Sequence, residues 1–123
     1  MSFLFVDDEE DLLEIYEIEA EMAFGKERCF FAKNGDEALE IFYKERPAII
    51  ITDGRMPKMT GIELCKKVKR ISPTTYLVLV TGNSGLKDES VLEDLFDKVF
   101  DKPVAFSEIF NELESVTKSL QMT

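Results

Sequence analysis

The sequence predicts an α/β fold in which a doubly wound, five-stranded parallel sheet carries helices on both faces. Five short apolar runs alternate with longer segments in which apolar residues recur at helical spacing. The third run, AIIIT, shows no alternation with polar residues, as expected of a strand that is covered on both faces. Strands that alternate with helices pair in parallel. We therefore expect a βα unit repeated five times, as a single domain over residues 1–123.

The first unit begins with a strand at residues 2–6, which is too short for a helix and rich in Phe and Val. A helix is predicted from Asp8 to about Phe24, because acidic residues occupy its first turn and Gly25 follows its last. Four residues form its apolar stripe: Leu12, Tyr16, Ala20 and Ala23.

The next elements are separated by turn and breaker residues. A second strand is predicted at residues 29–32, a turn at Asn34-Gly35, and a short helix at 36–44 that ends before Pro47. The third strand is residues 48–52.

The last two units complete the pattern. Thr60 caps a predicted helix that ends at Ile71, and the fourth strand is residues 76–80. A loop at 81–85 leads to a short helix at about 87–96 and a brief strand at 99–100. A final amphipathic helix covers about 106–120. Two stripes are predicted to face the core: Leu64, Val68 and Ile71 in the third helix, and Ile109, Phe110, Leu113, Val116 and Leu120 in the last.

Composition excludes several classes of function. Acids outnumber bases 25 to 15, for a net charge of −10, which argues against direct binding to nucleic acid. The absence of histidine excludes Ser-His-Asp and Cys-His catalysis and His-ligated zinc. No apolar run approaches the roughly 20 residues of a membrane helix, and the acidic start is unlike a signal peptide. We expect a cytoplasmic protein without membrane insertion, whose two cysteines are reduced and buried.

Polar side chains follow four of the predicted strands. Asp7 and Asp8 come after the first strand, Asp53 after the third, Thr81 after the fourth and Lys102 after the fifth. Ligands of such sheets bind beyond the carboxyl ends of the strands, so these groups should converge. Clustered carboxylates repel one another, and a hard cation such as Mg²⁺ relieves that repulsion. An ammonium group binds a phosphoryl oxygen, and a carboxylate can itself act as a nucleophile.

Each of these residues also has a simpler interpretation. A single Asp after a strand is usually a helix cap or a turn former, and this holds for Asp7, Asp8 and Asp53. Thr81 before Gly82 could start a turn, and a single lysine is most often a solvated surface residue. Coincidence becomes the weaker explanation only because all of these groups occur together, in order, at strand ends.

Five short motifs in order resemble one family. They are FVDDE at residues 5–9, IITD at 50–53, Met56-Pro57 with Thr60-Gly61, LVTG at 79–82 and DKP at 101–103. The sequence resembles the receiver domain of two-component response regulators, whose fold is flavodoxin-like and typified by the chemotaxis regulator. The resemblance covers essentially the whole chain.

The resemblance implies a role for each matching residue. Asp53 is the phosphoacceptor and also binds the metal, Asp8 binds Mg²⁺ directly, Asp7 supports it through water, and the backbone carbonyl of Arg55 is a further ligand. Mn²⁺ is an acceptable substitute for Mg²⁺. Four residues are expected to bind the phosphoryl group or to act in the switch: Thr81, Gly82, Lys102 and Pro103, with a cis peptide bond between the last two.

Two features depart from the family. Val99 stands three residues before Lys102, where many members have Tyr or Phe, so the usual threonine–aromatic switch is in doubt. Arg55 and Asn83 occupy positions that tune the lifetime of the phosphoryl group, and they are not the acid or amide pair of fast-turnover members. Arg55 either shields the acyl phosphate or lies in solvent, and the sequence leaves both alternatives open.

The resemblance also implies partners. A histidine kinase or a histidine phosphotransfer domain is expected to dock on the first helix and on the loop after the fifth strand. The candidate contacts are Ile15, Ile18, Met22 and Val104, although these residues could equally support packing alone. A downstream protein or an attached output domain would receive the signal, and no direct nucleic-acid partner is expected.

The sequence thus predicts a phosphorelay receiver that catalyses only its own phosphorylation and dephosphorylation. The main alternative is an aspartyl-phosphate phosphohydrolase, which usually needs a second Asp two residues after its nucleophile, where this chain has Arg55. A flavodoxin-like FMN-binding module is a second alternative. It needs a Ser/Thr/Gly-rich phosphate loop, whereas DDEEDL would repel a phosphate in the absence of metal.

Overall fold

The computed structural model describes residues 1–82 and 89–121, with only the backbone of 89–91. Within these residues the strands are β1 (Phe3–Val6), β2 (Cys29–Ala32), β3 (Ile49–Asp53), β4 (Tyr76–Thr81) and β5 (Lys98–Asp101). The helices are α1 (Glu10–Phe24), α2 (Gly35–Glu45), α3 (Gly61–Ile71), α4 (Glu89–Leu95) and α5 (Phe106–Gln121), with one 3₁₀ turn at Lys26–Arg28. No helix in the described part of the chain is long and apolar enough to cross a membrane.

The five strands form one parallel sheet in the order β2-β1-β3-β4-β5. This confirms the predicted fold class. The strand order reverses between β1 and β3, which is where ligands bind in such sheets. Val6 of β1 lies opposite Thr52 of β3. The residues that follow these two strands therefore lie at the same edge.

Alternation along the strands divides the apolar residues between two cores. On one face, Leu4 and Ile50 belong to the first core, which α2, α3 and α4 cover. On the other face, Phe5 and Ile51 belong to the second core, which α1 and α5 cover. The second core is rich in aromatic rings, and Phe5 lies 5.2 Å from Tyr16 between ring centroids.

Several element boundaries differ from the prediction, and three of the differences have a local cause that the structure shows. The first helix begins at Glu10 rather than at Asp8, because Asp7 Oδ1 accepts a hydrogen bond from the Glu9 backbone at 2.9 Å and holds this segment extended. Asn34-Gly35 is not a separate turn, since the Asn34 side chain accepts from the Glu37 backbone at 2.8 Å and caps α2. The fifth strand extends to Lys98–Asp101, where it pairs with β4.

Three apolar residues predicted to face the core are exposed instead: Ala23, Ile71 and Leu120. Each lies in the last turn of its helix, so each helix continues past the sheet surface that it covers. The two cysteines are buried and unpaired, as predicted. Most of the predicted 81–85 loop and the predicted helix start at 87 lie outside the described residues.

Candidate functional site

Three carboxylates meet at the edge where the strand order reverses. Asp7 follows β1 and Asp53 ends β3, and oxygens of Asp7, Asp8 and Asp53 all lie within 4.8 Å of one another. Asp7 and Asp53 are buried, whereas Asp8 is more exposed to solvent. The structure therefore brings the three predicted acidic residues together.

The environment of Asp7 disfavours its charged form. Its pKa is raised from 3.8 to about 6, mainly by burial and to a lesser extent by the nearby negative charges of Asp53 and Glu9. The hydrogen bond from the Glu9 backbone and the positive charge of Lys102 act in the opposite direction. Without a cation, the cluster is thus an unfavourable arrangement of like charges.

A lysine extends over the carboxylates from the end of β5. Lys102 Nζ lies 3.4 Å from Asp53 Oδ1 and donates a hydrogen bond to it. The Lys102 backbone also donates to the Thr81 carbonyl oxygen at 2.8 Å, which ties together the ends of β4 and β5. The peptide bond between Lys102 and Pro103 is cis.

The loop after Asp53 is held by the start of α3. The Gly61 backbone donates to the Gly54 carbonyl oxygen at 3.0 Å, so the loop returns to the strand that it left. A Cβ at Gly61 would collide with the Asp53 carbonyl oxygen, so this close approach requires glycine. Thr60 caps the helix as predicted, in a capping box with Glu63.

The other predicted site residues lie around this cluster. Thr81 is buried at the end of β4, Gly82 is exposed, and the Arg55 side chain is exposed to solvent. Asn83 lies outside the described residues. Val99 is half-buried against the first core, whereas its neighbour Phe100 is half-buried against the second.

The predicted docking residues do not form one exposed group. Ile15, Ile18 and Met22 are exposed on α1, with Met22 81% exposed. Val104 is half-buried and packs against the second core.

Sequence reasoning missed the position of Tyr16 beside the carboxylates. Its ring is buried between Phe5 and Phe106. Burial raises the pKa of its hydroxyl, and the charges of Asp7 and Asp53 raise it further. A tyrosine in an otherwise aliphatic stripe was the only sequence signal for this position.

The donor set of the cluster suits a hard divalent cation. It offers three carboxylates and no sulfur or imidazole ligand, and oxygen ligands of this kind favour Mg²⁺. Burial is the main cause of the raised pKa of Asp7, and a cation at this place would offset the smaller contribution from the negative charge of Asp53. The residues present therefore fit a magnesium site.

The chain is similar to known proteins in both sequence and fold. Residues 3–114 match the profile of the response regulator receiver domain. The chain is 39% identical over 61 residues to the sporulation initiation phosphotransferase F of Bacillus subtilis, which is 48% of this chain and 49% of that protein. It is 32% identical over 76 residues to the autoinducer 1 sensor kinase/phosphatase LuxN of Vibrio campbellii, 62% of this chain and 9% of that protein.

A solved structure shows the same fold. The response regulator protein TrrA of Thermotoga maritima, in complex with Mg(2+)-BeF, superposes with a TM-score of 0.81 at 24% identity, covering 94% of this chain and 98% of that one. The chain spans about half or less of the length of the curated relatives named above.

Proposed function

Because this chain belongs to the response regulator receiver domain family, and is therefore a phosphoacceptor domain of two-component signalling, we propose that Asp53 is the residue that accepts the phosphoryl group. One observation carries this assignment. Asp53 is a buried carboxylate that ends the central strand β3, with the Lys102 ammonium 3.4 Å away and two further carboxylates beside it.

For phosphoryl transfer, the protein mainly has to position the reacting groups and to supply positive charge near the phosphoryl oxygens. An Asp53 oxygen attacks the phosphorus of a phosphohistidine, the P–N bond breaks, and the bonding electron pair leaves with the imidazole. Lys102, already at the carboxylate, binds a phosphoryl oxygen as the new P–O bond forms. Thr81 and the Gly82 backbone then bind the attached phosphoryl group, and Pro103 shapes the loop that follows Lys102.

Four groups would hold the metal: the carboxylates of Asp7, Asp8 and Asp53 and the backbone carbonyl of Arg55. Mg²⁺, when bound, supplies positive charge that offsets the carboxylates and the phosphoryl oxygens. Mn²⁺ accepts the same oxygen ligands and would substitute for it. The exposed Arg55 side chain takes no part in this ligation.

The phosphodonor is a histidine kinase or a histidine phosphotransfer domain. The exposed apolar residues Ile15, Ile18 and Met22 on α1, together with Val104 after β5, are the proposed contacts. A downstream protein or an attached output domain reads the phosphorylated state. Residues 1–123 act as one receiver unit, in the cytoplasm where such kinases present phosphohistidine, without direct contact to nucleic acid or insertion into a membrane.

This unit catalyses only its own phosphorylation and dephosphorylation and is not an enzyme acting on external substrates. The phosphohydrolase alternative lacks the general acid that it needs, because Arg55 stands at that position. The FMN alternative lacks a phosphate loop, because the segment after β1 is acidic.

Intact mass measured after incubation with Mg²⁺ and acetyl phosphate distinguishes these functions. The proposal predicts one phosphoryl adduct per chain that persists for minutes and does not form when the metal is chelated. Rapid release of phosphate over many turnovers would instead indicate a phosphohydrolase, and a yellow bound cofactor would indicate a flavodoxin.

A further inference from the structure

A cavity of about 390 Å³ lies beside the carboxylate cluster, between α1 and α5. Three polar residues line it: Asp7, Tyr16 and Lys102. The rest of the wall is mostly apolar, formed by Leu12, Val80, Pro103, Val104, Phe106 and Ile109. Lys102 is therefore shared between the cavity and the ion pair with Asp53.

The size of the cavity suits one small organic molecule. A water molecule occupies about 30 Å³ in the liquid, so the cavity has room for roughly a dozen waters. Cavities of a few hundred Å³ with apolar walls and a few convergent polar groups are typical of small-ligand sites. Water gains little from such walls, so an apolar group should displace it readily.

Tyr16 is among the residues that line this cavity, and its hydroxyl is a potential hydrogen-bond donor. Among the described residues, none makes a hydrogen bond to it, and it is not sealed from solvent. Burial and the charges of Asp7 and Asp53 raise the pKa of Tyr16, so the hydroxyl stays protonated and can donate a hydrogen bond. Tyr16 and Lys102 thus offer a donor and a positive charge next to an apolar space.

We propose that this cavity receives the apolar leaving group of a small acyl phosphate, so that the receiver accepts phosphoryl groups preferentially from acyl phosphates with an apolar chain or ring. The inference rests on the proposed function, because it requires transfer to Asp53. It adds a substrate class that the carboxylate cluster alone does not select.

The chemistry of the step is balanced without a further reactant. An Asp53 oxygen attacks phosphorus, the bond between phosphorus and the acyl oxygen breaks, and the electron pair leaves on a carboxylate. That carboxylate needs no proton, since it is stable as an anion. It leaves beside the Lys102 ammonium, whose positive charge opposes the repulsion from Asp7 in the same wall, while its apolar part lies among Leu12, Val104 and Phe106.

The test compares two donors, benzoyl phosphate and acetyl phosphate, on two proteins in the presence of Mg²⁺. The rate of Asp53 labelling is measured with each donor on the wild type and on Leu12→Trp, in which the larger ring fills the cavity from a half-buried position on α1. Because both proteins react with the same donors, the intrinsic reactivity of each donor cancels when the two rate ratios are compared.

We expect the benzoyl-to-acetyl rate ratio to fall at least fivefold in Leu12→Trp. Ala23→Trp places the same ring at an exposed position of α1 that does not line the cavity, and it should keep the wild-type ratio. A ratio unchanged by Leu12→Trp overturns the inference alone. Failure of both donors to label the wild type overturns the proposed function, and the inference with it.

A second measurement needs no substitution and covers the case in which Leu12→Trp does not fold. Benzoate, the leaving group itself, should shift the methyl NMR signals of Leu12, Val104 and Ile109 in the wild type. Acetate at the same concentration should leave them in place. If the cavity instead accommodates only a side chain of a docked partner, the two acids behave alike, and that result also overturns the inference.

Discussion

At the scale of single residues, Asp7 shows most clearly that the carboxylate cluster destabilises the metal-free protein. Asp7 is 3% exposed and faces Asp53, and its side chain accepts a hydrogen bond from the Glu9 backbone. Its pKa of about 6 in the folded protein exceeds the ordinary 3.8, so folding favours the protonated form. Ionised Asp7 therefore destabilises the metal-free protein, and this destabilisation appears as the pH rises from about 4 to above 6.

Asp7→Asn should stabilise the metal-free protein near pH 8 by at most about 3 kcal/mol, because Asn keeps an acceptor for the Glu9 backbone and removes the charge. The gain should disappear near pH 4, where Asp7 is protonated in both the folded and the unfolded state. Urea unfolding of both proteins at the two pH values, with EDTA present to remove metal, measures this difference in the free energy of unfolding. If the wild type and Asp7→Asn were equally stable at both pH values, the charge of Asp7 would not destabilise the folded protein.

Asp8→Ala should lower the affinity for Mg²⁺ about tenfold or more and suppress phosphorylation, because one carboxylate of an all-oxygen site is lost. It should also raise the melting temperature without metal, since it removes one of three neighbouring negative charges. Titration with Mg²⁺ and thermal unfolding of each form provide the two readouts. Asp11→Asn, an exposed acid in the first turn of α1, is the control. An unchanged affinity would remove Asp8 from the site.

The convergence of the acidic residues could be predicted from the sequence, because the carboxyl ends of parallel strands lie at the same edge of the sheet. The sequence did not predict the position of Tyr16, since a residue in an apolar stripe is assigned to the core by its spacing alone. The stripe fixes which side of the helix faces inward. It does not fix how far along the sheet the ring extends, and in Tyr16 that extension brings the hydroxyl close to Asp7 and Asp53.

At the scale of elements, the start of α3 determines the position of the loop that follows Asp53, the proposed phosphoacceptor. The capping box of Thr60 and Glu63 fixes the first turn of the helix. Gly61 then packs directly against the Asp53 backbone. The start of the helix and the backbone of Asp53 are thereby held in direct contact.

Gly61→Ala should destabilise the fold by about 1–3 kcal/mol and slow phosphorylation of Asp53, because its Cβ forces the Asp53 carbonyl to move. Gly82→Ala is the matched control for stability, since a Cβ there meets no described atom within 4 Å. Urea unfolding and labelling with acetyl phosphate measure the two effects. Equal stability of the two variants would contradict the close contact at Gly61.

The response to phosphorylation should lie in the segment after β4 rather than at Val99. Val99 is half-buried and β-branched, so its side chain has few rotamers. It also carries no ring that could move inward. A beryllofluoride mimic should shift backbone NMR signals in residues 81–97 and leave the Val99 rotamer unchanged, with a coupling of about 1–3 kcal/mol. Unchanged NMR signals throughout residues 81–97, or a changed Val99 rotamer with no other signal shifted, would contradict this prediction.

Element boundaries were the least predictable part of the fold, for identifiable local reasons. Asn34 and Gly35 are residue types that favour turns, yet Asn34 uses its side chain to cap α2 and Gly35 begins that helix. Within residues 98–101, the sequence predicted only a two-residue strand, because Lys98 and Asp101 are charged. Pairing with β4 extends the strand to all four residues.

For the whole molecule, the order of the strands places the site. β1 and β3 are neighbours in the sheet although β2 and α2 lie between them in the chain, so Asp7 and Asp53 meet across 46 positions of sequence. This convergence was predictable, because the carboxyl ends of parallel strands lie at the same edge of the sheet. The cavity between α1 and α5 was not, because its shape depends on how two helices pack on the sheet rather than on any spacing in the sequence.

The central claim is that Asp53 takes the phosphoryl group in a metal-dependent reaction. Its most direct test is peptide mass mapping after incubation with acetyl phosphate and Mg²⁺, on the wild type, on Asp53→Asn and on the control Asp11→Asn. The account predicts one phosphoryl group on the peptide that contains Asp53 in the wild type and in Asp11→Asn, and none in Asp53→Asn or with EDTA. A phosphoryl group on any other residue, or Asp53→Asn labelled at the wild-type rate, would contradict it.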